Sequence, residues 1–233
     1  MRAKKRLQEI ANQIEKANVV ADIGADHGYL TKMLIEQGRA KHVIATDISS
    51  QSLQKTENLA KHFCFDGKIE TRVGNGLVPI LKNDKVDVCV IAGMGGYEII
   101  KILSSQDLKN IKNFVFQPAQ NTPNLRQFLT ENGFEIVYDE MVKDQKKFYS
   151  TIKAVKTSKN EKLQKCQILF GISCQNSKNP DLFEYLQDFV LKRQTLLCQN
   201  IETEKIHEEL ETALELLKQI KERSEEHTSE LQS

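Results

Sequence analysis

Val19-Val20-Ala21-Asp22-Ile23-Gly24-Ala25-Asp26-His27-Gly28-Tyr29-Leu30 reads as a buried strand that breaks at a glycine turn and resumes as a helix. Further β-branched runs follow at His42–Asp47, Lys68–Val73, Val86–Ala92, Phe114–Gln117, Glu135–Met141 and Phe148–Val155. Helical patterns fall between them at Tyr29–Glu36, Gln51–Phe63, Gly96–Leu103 and Asn124–Asn132, with Gly38 and Gly133 suited to end two of them. Near-continuous apolar strands alternating with helices predict an α/β fold whose mostly parallel sheet is covered on both faces. The charged segment Val142–Lys147 is too short for a crossover helix, so the last two strands should form a terminal antiparallel hairpin.

Beyond Ala154 the strand pattern stops. Asn179-Pro180-Asp181 opens a helical run with Leu182, Leu186, Phe189, Val190, Leu196, Leu197 and Ile201 at three-to-four spacing. A second run places Ile206, Leu210, Ala213, Leu214, Leu217 and Ile220 on one face, and a coiled-coil-like helical hairpin is the simplest reading. The chain of 233 residues thus divides into 1–155, 156–222 and a tail, 223–233. That tail, from Arg223-Ser224-Glu225-Glu226 onward, continues no apolar stripe and matches the conceptual translation of a sequencing adapter, so it is expected to be non-native.

The formal net charge of +1 conceals two unlike halves: 22 Lys+Arg against 18 Asp+Glu up to Ala154, then 11 against 14. Five cysteines, an odd number with no C-x-x-C pair, predict neither a disulfide framework nor a zinc site. The longest apolar runs fall short of the roughly 18 residues of a membrane span, and polar residues follow the basic start where a signal peptide would be apolar. A cytoplasmic protein is expected, monomeric or weakly dimeric, with no metal.

In doubly wound folds the turn after the first strand receives a nucleotide-like ligand. Gly24 lets backbone approach it, and Asp47, 23 residues on at the next strand end, is placed to accept from ribose hydroxyls. The turn reads G-x-x-x-G, and Asp26 stands where a second glycine would admit a pyrophosphate. A carboxylate there repels phosphate and suits a cationic ligand such as S-adenosylmethionine, although Asp22 and Asp26 would equally serve turn and helix-cap chemistry. Gly74-Asn75-Gly76-Leu77 follows the third strand, where Asn75 could read an adenine amino group or simply make a turn. Ile91-Ala92-Gly93-Met94-Gly95-Gly96 follows the fourth, and its three glycines imply close backbone approach to something flat. Gln117-Pro118 follows the fifth.

These motifs, together with Leu125-Arg126-Gln127-Phe128-Leu129, Asn132-Gly133-Phe134 and Lys147-Phe148-Tyr149, resemble the bacterial tRNA adenine-N1 methyltransferase family known as TrmK, which modifies nucleotide 22 of tRNA. The resemblance implies a Rossmann-like methyltransferase domain, S-adenosylmethionine as donor, a coiled-coil domain and a tRNA partner. By position, Gly24, Asp26 and His27 would line the methionine part of the cofactor, Asp47 its ribose, and Asn75 with Gly76 its adenine, with Asp22 a further cofactor-binding candidate. Gly93 and Met94 would edge the target pocket, and Tyr29 or Met94 would stack on the base. Asp26 and Gln117 are candidate catalytic groups, and Arg6, in an Arg-Leu pair resembling the family's entry to its first helix, is a candidate RNA contact. Arg2, Lys4 and Lys5, or Lys143, Lys146 and Lys147, offer further basic patches. Asn75 stands where the family commonly has Asp, and Ala119-Gln120 replaces the Asn that often follows Gln-Pro. Methylation of another RNA, a protein or a small molecule is the alternative. An NAD-dependent oxidoreductase would need the glycine pattern that Asp26 breaks, and a binding-only module would lack affinity for S-adenosylmethionine.

Overall fold

The structure, a computed structural model, describes residues 5–65, 67–201 and 203–230, with side chains as far as 223. Its first part runs α1 (Lys5–Asn12), β1 (Ala17–Ile23), α2 (Tyr29–Glu36), β2 (Ala40–Asp47), α3 (Ser50–His62) and β3 (Ile69–Val73). Then follow β4 (Val88–Ala92), α4 (Gly96–Ser105), β5 (Asn113–Gln117), α5 (Thr122–Glu131), β6 (Phe134–Asp144) and β7 (Lys147–Lys156). The seven strands form one sheet in the order β3-β2-β1-β4-β5-β7-β6. The first five are parallel, and β7 pairs antiparallel with both β5 and β6.

Strand alternation explains why the apolar runs are unbroken. Val20, Val43, Val90 and Val115 pack on one face beneath α1 and α2, against Leu7, Ile10, Ile14 and Leu34. Their neighbours Ala21, Ile44, Cys89, Ile91, Phe114 and Phe116 pack on the other with Ile99 of α4 and Leu125 of α5. With both faces covered, neither set of positions can be polar, so the pattern loses its period of two.

The terminal hairpin is longer than its sequence suggests. Lys143 pairs with Phe148 and Asp144 with Lys147, leaving only Gln145 and Lys146 as the turn, with Gln145 at φ 58°. The charged residues there stay in strand because α7 (Pro180–Cys198) holds them: Asp181 accepts from the Lys143 amide at 2.8 Å, and Glu184 pairs with the Lys143 ammonium.

The C-terminal helices are rooted on this hairpin. A short helix, α6 (Lys165–Phe170), precedes α7, and α8 (Glu204–Glu230) returns along it. Phe170, Leu182, Leu186, Phe189, Ala213 and Leu216 share a third apolar cluster with Met141 of β6. The expected stripe on α8 is partly displaced: Leu214 is 45% exposed, and Leu216 takes the buried place. α8 also continues past Ile220, where its apolar stripe was expected to end. Between sheet and helices, the fully buried Arg126 of α5 makes a two-pronged ion pair with Asp139 of β6 (2.7 and 3.1 Å), donates to Ser150 of β7, and donates to the carbonyls of Ile168 and Leu169 in α6.

Candidate active site

Chain order reverses between β1 and β4, and the loops at their carboxyl ends open a crevice there. The turn after β1 is built from left-handed residues, Gly24 (φ 73°), Asp26 (φ 49°) and Gly28 (φ 69°). Its amides are largely spent inside the protein. Gly24 and Ala25 donate to the Thr46 carbonyl, Asp26 to the Asp47 carboxylate at 3.1 Å, and Gly28 to the Ala25 carbonyl. The first turn of α2 is likewise occupied: the Thr31 hydroxyl donates to Asp22 at 2.7 Å, and the Thr31 amide does the same. A helix N-terminus of this kind ordinarily offers an anion site, and here the protein's own carboxylate fills it. Burial pushes the Asp22 carboxyl up to about 6, the Thr31 hydrogen bonds opposing and the Asp47 charge adding to the rise.

The crevice is a cavity of about 630 Å³ lined by Asp22, Gly24, Asp26, His27, Tyr29, Asp47, Asn75, Gly76, Gly93, Met94 and Arg6. Of the residues singled out from the sequence, Gln117 lies outside this lining, as do Lys5, Lys143, Lys146 and Lys147 of the basic patches. Glu98, Leu7, Ile48 and Ile102 also line it and were not anticipated. Glu98 and Ile102 lie four apart on α4, one and two turns after the glycine loop, so helical spacing from Gly93 could have found both. Leu7 entered only as the second member of the Arg-Leu pair, and Ile48 carried no signal beyond being apolar.

Local contacts fix several of these groups. Asp47 accepts from the amides of Asp26 and Ser49, which holds the β1 and β2 loops together. His27 lies between Asp26 (Nδ1 to carboxylate, 2.6 Å) and the Lys55 ammonium (Nε2, 3.1 Å), its ring parallel to Tyr29 at 5.9 Å. An ammonium can only donate, so this arrangement assigns the imidazole proton to Nδ1. The Asn75–Leu77 turn is held by Gln106, whose amide oxygen accepts from the Leu77 N–H at 2.6 Å.

The Gly93–Gly96 loop corrects one expectation. Only Gly93, left-handed at φ 82° with open space where a Cβ would stand, is free to face a ligand. Gly96 is required by the chain itself: an added Cβ would meet the Asn121 carbonyl oxygen at 2.3 Å. The loop is zipped to the end of β5 and the segment that follows it, with Gly93 donating to Gln117, Ala119 to Met94, and Gly96 to Gln120.

Gln117, expected as a catalytic candidate, is 1% exposed. Its carboxamide nitrogen donates to the Arg6 carbonyl and the Thr151 hydroxyl, both at 3.0 Å, and its oxygen accepts from the Arg6 guanidinium at 3.2 Å. It is therefore turned toward α1. Of the basic patches, Lys143 is engaged with Glu184 and Phe148, while Arg2 and Lys4 lie outside the described residues. Among the described residues no group of His, Cys, Asp or Glu could hold a metal ion, and no helix is long and apolar enough to cross a membrane.

The family model for TrmK, tRNA (adenine(22)-N(1))-methyltransferase, matches residues 20–222. The chain belongs to the TrmK family. Among its relatives, the Mycoplasma genitalium protein MG248 is 35% identical over 184 residues, 76% of this TrmK-family chain and 80% of that protein. The Streptococcus pneumoniae protein Sp1610, solved with S-adenosyl-L-methionine, superposes with a TM-score of 0.84 at 27% identity, covering 91% of this chain and 98% of that one. Mycoplasma capricolum TrmK, solved with S-adenosyl-homocysteine, gives a TM-score of 0.79 at 26% identity, covering 92% and 97%.

Proposed function

We propose that this TrmK-family protein transfers a methyl group from S-adenosylmethionine to N1 of the adenine at nucleotide 22 of tRNA, in the cytoplasm. The observation that carries this reading is the cavity itself. In a chain of this family, four carboxylates (Asp22, Asp26, Asp47 and Glu98) surround the switch-point crevice, where the helix end that would greet a phosphate is already filled. That donor set fits a ligand bearing a sulfonium and an ammonium and opposes one bearing a pyrophosphate.

Gly24, Asp26 and His27 would hold the methionine part, Asp47 the ribose, and Asn75 with Gly76 the adenine. The sulfonium supplies an electrophilic methyl group to the site. Adenine N1 has an available lone pair, so this chain need not provide a general base. Its residues act by orientation, which contributes up to about 7 to 11 kcal/mol in favourable cases. N1 lies on adenine's pairing edge, so the nucleotide must enter unpaired or flipped. Tyr29, 44% exposed and backed by the His27 ring, with Met94 opposite the glycine turn, offers surfaces for the base. Methylation leaves positive charge on the base. A carboxylate that accepts from its 6-amino group would disperse that charge, and Asp26 is our candidate.

The test is incubation with labelled S-adenosylmethionine and bulk tRNA, followed by mapping of reverse-transcription stops. A stop at nucleotide 22 supports the reading, and labelled tRNA without it assigns another position. In the same assay Asp26→Ala should lower methyl transfer more than cofactor affinity. An equal loss in both would make Asp26 a cofactor ligand.

A further inference from the structure

We propose that Cys166 and Cys174 form a reversible oxidation site, at which a hydroperoxide converts the two thiols to a disulfide across the turn that roots the helical hairpin. Neither residue lines the switch-point cavity, and the inference is independent of the methyl-transfer reading. Of the five cysteines, Cys64 and Cys198 are exposed and Cys89 is sealed in the sheet core. Cys166, near the start of α6, and Cys174, which opens a 3-10 turn (Cys174–Asn176), differ in meeting each other: their thiols are in hydrogen-bond contact. The surrounding chain holds this approach. α6 ends at Gly171 (φ 110°), whose carbonyl accepts from the Cys174 amide at 3.1 Å and turns the chain back. Gln164, just ahead of α6, accepts from the Cys166 thiol at 3.8 Å and from the Gln175 side chain at 3.4 Å, so one amide oxygen bridges both arms of the turn. Arg126 grips the carbonyls of Ile168 and Leu169 between them, and both sulfurs belong to the third apolar cluster.

The two thiols are unequal. Cys174 is 1% exposed, and burial, with the Cys166 sulfur beside it, pushes it up to about 12, so it rests as a protonated thiol. Cys166 is partly exposed and lines a cavity of about 460 Å³ between α6 and α8, which admits a small oxidant to its sulfur. Oxidation follows access and thiolate character, so Cys166 reacts first. Its sulfur attacks the peroxide: an S–O bond forms, the O–O bond breaks, and the departing oxygen takes the Cys166 proton and leaves as water. Cys174 then attacks the sulfenic sulfur, an S–S bond forms, the S–O bond breaks, and the sulfenic hydroxyl leaves as water with the Cys174 proton. Two thiols give up two electrons in all, and one peroxide is reduced to two waters. A partly exposed disulfide of this kind is of the labile type that free thiols reduce again.

The test treats the full chain with hydrogen peroxide, labels it with a maleimide after denaturation, and digests it with trypsin, which leaves Cys166 to Lys178 on one peptide. Labelling should fall by two thiols and that peptide should lose two hydrogens, both changes being reversed by dithiothreitol. Cys174→Ala should stop the reaction at the sulfenic acid, which a 1,3-dione traps on Cys166. Cys166→Ser should leave Cys174 unoxidised. Oxidation confined to the exposed Cys64 and Cys198 overturns the proposal. So does a wild-type Cys166 that reaches the sulfinic acid as readily as in Cys174→Ala, or that becomes linked to a second chain instead of to Cys174.

Discussion

Asp22 combines 2% exposure with a carboxyl pushed up to about 6, so the folded protein holds this proton more tightly than the unfolded chain, where the ordinary value is 3.8. Stability from this group is therefore fully present below pH 3.8 and declines as pH rises through about 6. Asp22→Asn, which keeps an acceptor for Thr31, should raise the melting temperature at pH 7.5 and change it little at pH 4. A gain of up to about 3 kcal/mol is expected at the higher pH. Calorimetry should also show S-adenosylhomocysteine binding to wild type weakening as pH is lowered through about 6, because protonation removes one negative charge from the lining. Asp22→Asn should flatten that dependence. At Gly96 a Cβ would strike the Asn121 carbonyl, whereas at Gly38 it would meet nothing and cost only the strain of φ +63°. Gly96→Ala should thus destabilise by more than about 2 kcal/mol and Gly38→Ala by about 1, read from urea unfolding. Asp22, Asp26, Asp47 and the glycines of the cavity lining were legible because short motifs at strand ends state them directly, whereas Glu98, inside α4, was not. Gln117 was misread because its position at the end of β5 is informative while its direction depends on Arg6 of α1, 111 positions away.

At the scale of elements, α7 and α8 show where periodicity runs out. A helical stripe identifies an apolar face about 100° wide without saying which edge of it meets the neighbour. Leu214 and Leu216 lie toward opposite edges of such a face, and the cluster that includes Phe189 and Met141 takes in the second. Leu216→Ala should cost about 2 to 4 kcal/mol and Leu214→Ala less than about 0.5, measured as shifts in the unfolding midpoint. The strands were legible to within a few residues because burial on both faces leaves no substitute for β-branched and aromatic side chains. The hairpin was read too short for the converse reason. Its charged end looks like a loop until Asp181 and Glu184 of α7 supply partners.

For the whole molecule, the Arg126–Asp139 pair is the joint between sheet and helices. Its two side chains are each 1% exposed, and its outer donors end on the α6 carbonyls. Removing one partner strands a buried charge, so Arg126→Ala should cost about 3 to 5 kcal/mol. Unfolding followed by fluorescence and by far-ultraviolet circular dichroism should give coincident transitions in wild type, since both regions share this joint. Nothing in the order of charged residues indicates that Arg126 and Asp139 meet, because pairing across 13 residues depends on how α5 lies against β6. The strap from α1 has a bearing on how the protein is made. Arg6 leaves the ribosome before the groups that hold it, Gln117, which is tied to Thr151, and Tyr149, all of which come from the last strands of the sheet. Nascent chains fold as their segments emerge, and the cationic wall of the cavity cannot be set until β7 is out. A growing chain therefore holds an unfinished cavity until the whole sheet has been synthesised.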